Sequence, residues 1–414
     1  MKFLHTADLH LGQVMYQNYG REDEHQHFFE QLDRWCQEHQ PDALLVSGDI
    51  FDIQQPSAAV KHAFNEYIVN LHNRFPEMRI VITAGNHDSA SRIQADNIVW
   101  KLGNITLIGR PPASDCTTKP EGWQEEYVVR LEGTGYIVAL PYMAVHKKET
   151  IQALLYYVEK ENTYNLPVVM MGHTAVVGMD ATGHNFDIGH LQALDPEELG
   201  SGFDYLALGH IHRPQTIGYP DNEHELESHY PAGVIRYSGS ALHVSCDEKY
   251  PHTVSLVDIN HHGGEVHLKR LRIDELRHFY ELPSDHAAQS HEEAKQAVID
   301  FAQKGLRGYI RFNMDYSTDL PSDFNQQIYK LIEEYKDEIR YNPKIIWTNV
   351  PDKKESTEKP IFEVADLQQM TDPIRFIEQT IDHYNGLTLD EIRGAFTDIE
   401  IECQRIQEEG RKKK

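Results

Sequence analysis

Five short apolar runs constrain this chain most, because each ends on a small residue and then presents a carboxylate, an amide or an imidazole. Residues 2–7 lead into Asp8-Leu9-His10, residues 43–48 into Asp49, and residues 80–85 into Asn86 and His87. Residues 168–172 lead into His173, and residues 205–209 into His210 and His212. Such runs read as strands buried on both faces, as in parallel sheets. Residues two apart on an extended backbone project the same way, so Asp8 and His10 offer two ligands to one point. A single Asp-x-His pair is more often an ordinary surface or turn pair; the recurrence gives it weight.

Together the strand ends supply Asp8, His10, Asp49, Asn86, His173, His210 and His212, nitrogen and oxygen donors without a thiolate. They suffice for two divalent cations if one carboxylate bridges, and Asp49 is the natural bridge. Mixed imidazole and carboxylate ligation favours manganese, iron or zinc over magnesium. Two cations about 3.5–4 Å apart are the arrangement used for in-line hydrolysis of phosphate esters. His87 has a different expected role, since a leaving alkoxide needs a proton and an imidazolium is the usual donor. Asp52 is expected to orient His87 and favour its charged form, with a helix N-cap near Ser57 as an equally good reading.

A formal charge of −26 over 414 residues argues against gripping nucleic acid through a global basic field. Exposed charges beyond about 8 Å are largely screened at physiological salt. Two divalent cations against Asp8 and Asp49 would leave the site itself positive, so a phosphodiester is attracted there. Cys36, Cys116, Cys246 and Cys403 are far apart with no Cys-x-x-Cys pair, which fits a reducing cytoplasm and argues against a structural zinc site. No apolar run approaches about 18 residues, and the chain opens on a strand rather than a leader, so neither a membrane span nor export is expected. Most of the 25 histidines lie outside the motifs; His224, His229, His243, His261 and His262 read as solvated loop.

Between the strand ends the apolar spacing turns helical. Phe28, Phe29, Leu32, Trp35 and Cys36 share a face over residues 24–39, and Val60, Phe64, Tyr67, Ile68 and Leu71 do so over 57–75. A third helix spans 91–102. The helices after Asp49 and His87 pack on a sheet or supply a dimer face. Strands follow at 126–131, 136–141, 235–240, 253–259 and 265–273, and the alternation in the last four predicts a second, partly antiparallel sheet. Residues 219–233, polar with two prolines, read as a surface insertion. Residues 1–274 therefore form one α/β domain. Residues 275–350 form a small α+β unit, with capping-box spacing at Ser290 to Glu293. Residues 351–361 read as a charged linker. Residues 362–410 read as two amphipathic helices, Ile374, Ile377, Ile381 and Tyr384 on one stripe and Ile392, Phe396, Ile399, Cys403 and Ile406 on the other, broken at Asn385-Gly386.

In this order, Asp8-Leu9-His10, Gly48-Asp49-Ile50-Phe51-Asp52, Gly85-Asn86-His87-Asp88, Gly172-His173 and Gly209-His210-Ile211-His212 resemble the motifs of the calcineurin-like metallophosphoesterases. His5 to Gly12, Gly209 to Gln215 and Tyr237-Ser238-Gly239-Ser240 bring the chain nearest to the SbcD-type branch of nuclease subunits, over about the first 260 residues. The resemblance implies a four-layer α/β/β/α sandwich. It places one metal on Asp8, His10, Asp49 and His212 and the other on Asp49, Asn86, His173 and His210, with His87 catalytic. It implies that 275–350 cap the site and position DNA, and that 362–410 dock on the coiled coil of an SbcC-type ABC ATPase. It also implies a homodimer within a heterotetramer that digests duplex ends and cuts single strands or hairpins in DNA repair and recombination. Two departures, Ala241 to Cys246 and the 219–233 insertion, fall on the DNA-facing rim. The alternative is a calcineurin-like phosphodiesterase acting on a nucleotide or other small phosphodiester, which has no evident use for the last 140 residues. A non-catalytic scaffold is disfavoured because no ligand position is lost.

Overall fold

Branched apolar residues dominate the short runs, and the runs become strands because their side chains are buried above and below. The structure is a computed structural model. It describes residues 1–350 except residues 17, 114–119, 144–147, 183–192, 221–224 and 336. The chain divides into the units Met1–Asn349 and Val350–Lys414. The expected linker at 351–361 and helix pair at 362–410, with the stripes begun by Ile374 and Ile392, lie outside the described residues.

The chain begins with β1 (Lys2–Thr6), the hairpin β2 (Val14–Met15) and β3 (Tyr19–Gly20), α1 (Glu22–His39), β4 (Ala43–Ser47), α2 (Ala58–Arg74), β5 (Arg79–Thr83), α3 (Ala90–Trp100) and β6 (Ile105–Ile108). It continues through β7 (Val128–Leu131), β8 (Gly135–Ala139), α4 (Lys148–Glu161), β9 (Val168–His173), β10 (Tyr205–Gly209), β11 (Gln215–Thr216), β12 (Glu227–Tyr230), β13 (Val234–Tyr237), β14 (Thr253–Ile259) and β15 (Val266–Arg272). The last part holds β16 (His278–Leu282), α5 (His291–Gln303), β17 (Gly308–Asp315), α6 (Phe324–Ile332), β18 (Ile339–Tyr341) and β19 (Ile346–Thr348).

One sheet has the order β12-β15-β14-β1-β4-β5-β6, the other β11-β13-β10-β9-β8-β7. Phe3, Leu45 and Val81 pack toward the second sheet, while their neighbours Leu4, Leu44, Val46, Ile80 and Ile82 pack with α1, α2 and α3. This alternation fixes the register of the first sheet, since a slip of one residue would exchange the two faces. Helix α4 buries Ile151, Leu154, Leu155 and Val158 with the second sheet. The layers are thus helix, sheet, sheet, helix. Strands β1, β4 and β5 run parallel, as do β9 and β10, so their carboxyl ends gather the motif loops.

Two expectations about this sheet region are corrected. The strands at 253–259 and 265–273 belong to the first sheet, not the second. Strand β14 pairs antiparallel with β1, occupying the edge that the parallel strands leave open. The end of the 219–233 stretch is not loop: Glu227–Tyr230 forms β12 against β15. Its polarity reflects an edge position, with only Tyr230 buried. Helix α4 and strands β6, β16 and β18 are elements that the sequence reading did not assign.

The small unit runs β-α-β-α-β-β, and its strand pairs are parallel. Leu282, Val298, Phe301, Ile310, Phe312 and Ile328 give it a core of its own. Ser290 caps α5, accepting from the Glu293 amide at 3.2 Å, while the Glu293 carboxylate accepts from the Gln289 amide. Buried Glu24 on α1 joins this unit to the body, accepting from the Tyr309 hydroxyl at 2.7 Å and Arg340 Nη1 at 2.8 Å. Cys36 and Cys246 carry free thiols. Among the described residues, no helix is long and apolar enough to cross a membrane.

Candidate metal centre

At the carboxyl ends of the parallel strands, Asp8, His10, Asp49 and His210 have positive φ angles of 52°, 46°, 48° and 94°. Each such non-glycine residue costs on the order of 1–3 kcal/mol and persists only where its surroundings over-determine it. The surroundings are visible. Asp8 and His10 donate their amides to Gly48 and Asp49 carbonyls at 3.0 and 3.1 Å. The His210 amide donates to both Asp8 oxygens, at 2.9 and 3.1 Å, and the His87 amide donates to Asp49 Oδ1 at 2.8 Å. The glycines of the motifs allow this crowding: a Cβ on Gly48 would lie 2.1 Å from His173 Nδ1, and one on Gly85 2.1 Å from Asp49 Oδ1.

The structure brings all seven expected ligands to one place. Asp49 Oδ2 lies 3.3 Å from His173 Nε2 and 3.9 Å from His10 Nε2, between the two imidazoles. Asn86 Oδ1 accepts from His173 Nε2 at 2.9 Å and from His210 Nδ1 at 3.1 Å. Ligand atoms of Asp8, His10 and His212 fall within 4.8 Å of one another, as do those of Asp8, Asp49 and His173. Pairing in register of Gly209 with His173 across β9 and β10 sets the two histidine loops side by side.

The site calls for positive charge. His10 is buried, and among the described residues neither ring nitrogen has a hydrogen-bond partner of good geometry; carboxylate oxygens of Asp52 and Asp49 stand 3.3 and 3.9 Å away. Burial works against the charged form of His10, but Asp52, Asp49 and Asp8 reverse it and push the group up, so the ring sits among carboxylates that favour positive charge at this point. Burial pushes the Asp8 carboxyl up. Burial acts the same way on Asp49, but His173, His10 and His87 more than reverse it and hold Asp49 well below the usual range. His173 resists its own burial through Asp49 and Asp8 and is pushed up to about 9, so a proton occupies the nitrogen that faces Asn86 and Asp49. A divalent cation replaces such protons and completes the coordination of His10. The residues therefore fit divalent metals, the chemistry of this donor set.

His87 stands beside this group, its ring 5.0 Å from that of His10. Its Nδ1 donates to the Asp52 main-chain carbonyl at 2.7 Å, which leaves Nε2 as the nitrogen available to a substrate. The expectation for Asp52 changes accordingly: the carbonyl orients His87, while the carboxylate turns to His10. Nor does Asp52 cap α2, since Ser57 does so, accepting from the Val60 amide.

Three features escaped the sequence reading. The Asp88 carboxylate accepts from the amides of Ile50, Phe51 and Gly85 at 3.1, 3.0 and 2.8 Å, tying the Asp49 loop to the Asn86 loop. Glu248 Oε1 holds His212 Nδ1 at 3.0 Å, which directs ligation to Nε2. His243 is not solvated loop, for it packs against His252 and Glu275. His262 is engaged by Asp204 as well, whereas His229 is exposed as expected and His224 lies outside the described residues.

The SbcD protein of the SbcCD nuclease of Escherichia coli (strain K12) is 31% identical over 285 residues, covering 62% of this chain and 65% of that protein. The corresponding proteins of Rhodobacter capsulatus and Bacillus subtilis (strain 168) are each 28% identical, over 63% and 62% of this chain and 66% of each relative. The chain thus aligns with just under two thirds of the length of these curated relatives. Residues 1–214, which hold all the candidate ligands and His87, match the calcineurin-like phosphoesterases. That span is more than half of 414 residues, and the chain belongs to the calcineurin-like phosphoesterase family.

Proposed function

We propose that this chain is the nuclease subunit of an SbcCD-type complex, a manganese-dependent phosphodiester hydrolase acting on DNA. The observation that carries the chemistry is the convergence of the seven ligands at the strand ends, four of them on strained backbone, with His87 fixed at the margin. One metal falls to Asp8, His10, Asp49 and His212, the other to Asp49, Asn86, His173 and His210. Divalent cations held there would supply Lewis-acid polarisation of a phosphodiester and a nucleophilic water near neutral pH. The chain's own residues do the rest. Asp88 and Glu248 hold the ligand loops, the Asp52 carbonyl accepts the Nδ1 proton of His87 and orients the ring, and His87 in its imidazolium form gives its Nε2 proton to the leaving oxygen.

A nucleic-acid substrate is supported by the relatives that are named subunits of a nuclease; digestion of DNA from duplex ends and internal cutting of single strands or hairpins belong to the same proposal. The 275–350 unit, joined to α1 through Glu24, is the region assigned to position DNA. Ile98 and Val99 on α3, Leu102 just after it and Val69 on α2 are exposed apolar residues, and we assign these two helices to a homodimer face. Residues 362–410 are assigned to the coiled coil of the ABC ATPase partner, on the strength of their apolar stripes. Free Cys36 and Cys246 suit a cytoplasmic setting.

The test uses the full chain with Mn2+ on labelled single-stranded, duplex and hairpin DNA, with bis(p-nitrophenyl) phosphate and cyclic nucleotides alongside. The expected result is DNA cleavage that EDTA stops and Mn2+ restores. Hydrolysis of the small diesters with every DNA left intact would replace this reading by the small-phosphodiester alternative.

A further inference from the structure

A second group of imidazoles and carboxylates converges where the phosphoesterase body meets the small unit. His252, the residue before β14, is wholly buried. Its Nδ1 is engaged by Ser240, 2.9 Å from the carbonyl and 3.1 Å from the hydroxyl. Among the described residues its Nε2 has no hydrogen-bond partner, and a carboxylate oxygen, Glu248 Oε2, lies 3.4 Å away. His243, on the loop after β13, lies with its ring centroid 4.2 Å from that of His252. Its Nδ1 is 3.0 Å from Oε1 of Glu275, which precedes β16. One ligand atom from each of His243, His252 and Glu275 falls within 4.8 Å of the others.

The surroundings suit a bound ion. The side chains of His243 and Glu275 are only 11% and 8% exposed, and both border a cleft of about 620 Å³. His278 Nδ1, 3.1 Å from Glu275 Oε2, fixes the carboxylate from its other oxygen. Burial holds His252 down to about 4, so its imidazole is neutral, the form that ligates. Burial works against the Glu275 carboxylate, but His243 reverses it and keeps the group ionised.

We propose that His243, His252 and Glu275 form a further metal site, distinct from the strand-end pair, for a borderline divalent ion of the zinc class. Two imidazole nitrogens and one carboxylate oxygen are a recurring three-ligand set for zinc, with a fourth position open, here toward the cleft. The ion would join the β13–β14 loop to the segment that leads into the small unit. It would fix how that unit meets the body without using a strand-end ligand. Glu248 separates the two sites, with Oε2 toward His252 and Oε1 on His212.

The test counts metal in the full chain. Protein stripped with chelator is loaded with Zn2+, desalted and assayed by elemental analysis; a parallel sample takes Co2+ for visible spectroscopy. Wild type should retain one zinc equivalent more than His243→Gln or Glu275→Gln, each checked for native circular dichroism. Asp49→Asn, stripped of the strand-end metals, should keep this zinc and a low-coordinate cobalt spectrum that His243→Gln removes. Equal zinc in wild type and both variants, or none in Asp49→Asn, would overturn the site and leave an ordinary His243–Glu275 ion pair. Failure of the strand-end assignment looks different: Asp49→Asn would then keep the full metal content.

Discussion

The strand-end centre and the Glu24 junction are both buried and charged, yet they treat their polar atoms in opposite ways. At the junction, Glu24 Oε2 accepts from Arg21 Nε and Nη2 at 2.9 and 2.6 Å, and Oε1 accepts from Tyr309 and Arg340, with Arg277 Nη1 at 3.4 Å. Arg340 and Arg277 spend further donors on the carbonyls of Gly20 and Asp337. Helix α1 carries Glu24 in regular geometry. At the strand ends the backbone is bent into the left-handed region, and among the described residues His10 has no hydrogen-bond partner of good geometry on either nitrogen. At the junction both oxygens of the Glu24 carboxylate are met by protein donors, with Arg277 Nε left unpartnered among the described residues, whereas the strand-end imidazoles and carboxylates are completed by a cation. That difference separates a structural charge cluster from a binding site, and by the same criterion His252 falls with the binding sites.

The sharpest way to break the comparison is Asp49→Asn. An amide cannot bridge two cations as a carboxylate does, so both strand-end metals should be lost and Mn2+-dependent cleavage should fall below detection. Elemental analysis after desalting measures the first, and gel assays the second. Next comes His87→Gln. It removes the proton donor but no ligand, so metal content should stay at the wild-type value while turnover falls about 10²- to 10⁴-fold. Wild-type turnover in His87→Gln would remove that residue from the chemistry and leave the metal centre standing.

The strand-end ligands were legible because each follows an apolar run at fixed offset, a local signal. The residues at their margin were less so. Asp52 sits at the right offset, but whether its carbonyl or its carboxylate meets His87 depends on the turn between Ile50 and Ser57. Asp88 was visible as a motif letter, and its role of gathering three amides was not. Glu248 and His252 carry no spacing that points to His212 or His243, since their meaning arises only when residues far apart in sequence are brought together. The same holds for the sheets. The alternation of β14 and β15 was plain, but joining the open edge of β1 is a pairing across some 250 residues. Helix α4 is a different case, because Ile151, Leu154, Leu155 and Val158 have ordinary helical spacing and the signal was present.

The smallest effect on catalysis and the largest on folding should come from Glu24→Ala. The substitution leaves Arg21, Arg277 and Arg340 buried together with only Asp23 to oppose them. Removing one member of a buried charge cluster costs about 3–5 kcal/mol, most of it from the charges left behind. Glu24→Gln keeps an oxygen for Tyr309 and Arg340 and should recover part of that loss. Denaturant midpoints for both variants measure it. Neither touches a strand-end ligand, so zinc or manganese bound per folded chain should match wild type. The comparison therefore predicts a double dissociation, in which Glu24→Ala loses stability and keeps metal while Asp49→Asn loses metal and keeps the junction. If Glu24→Ala unfolds at the wild-type denaturant concentration, the junction does not hold the small unit to the body. The complete-versus-incomplete criterion then fails on its structural side.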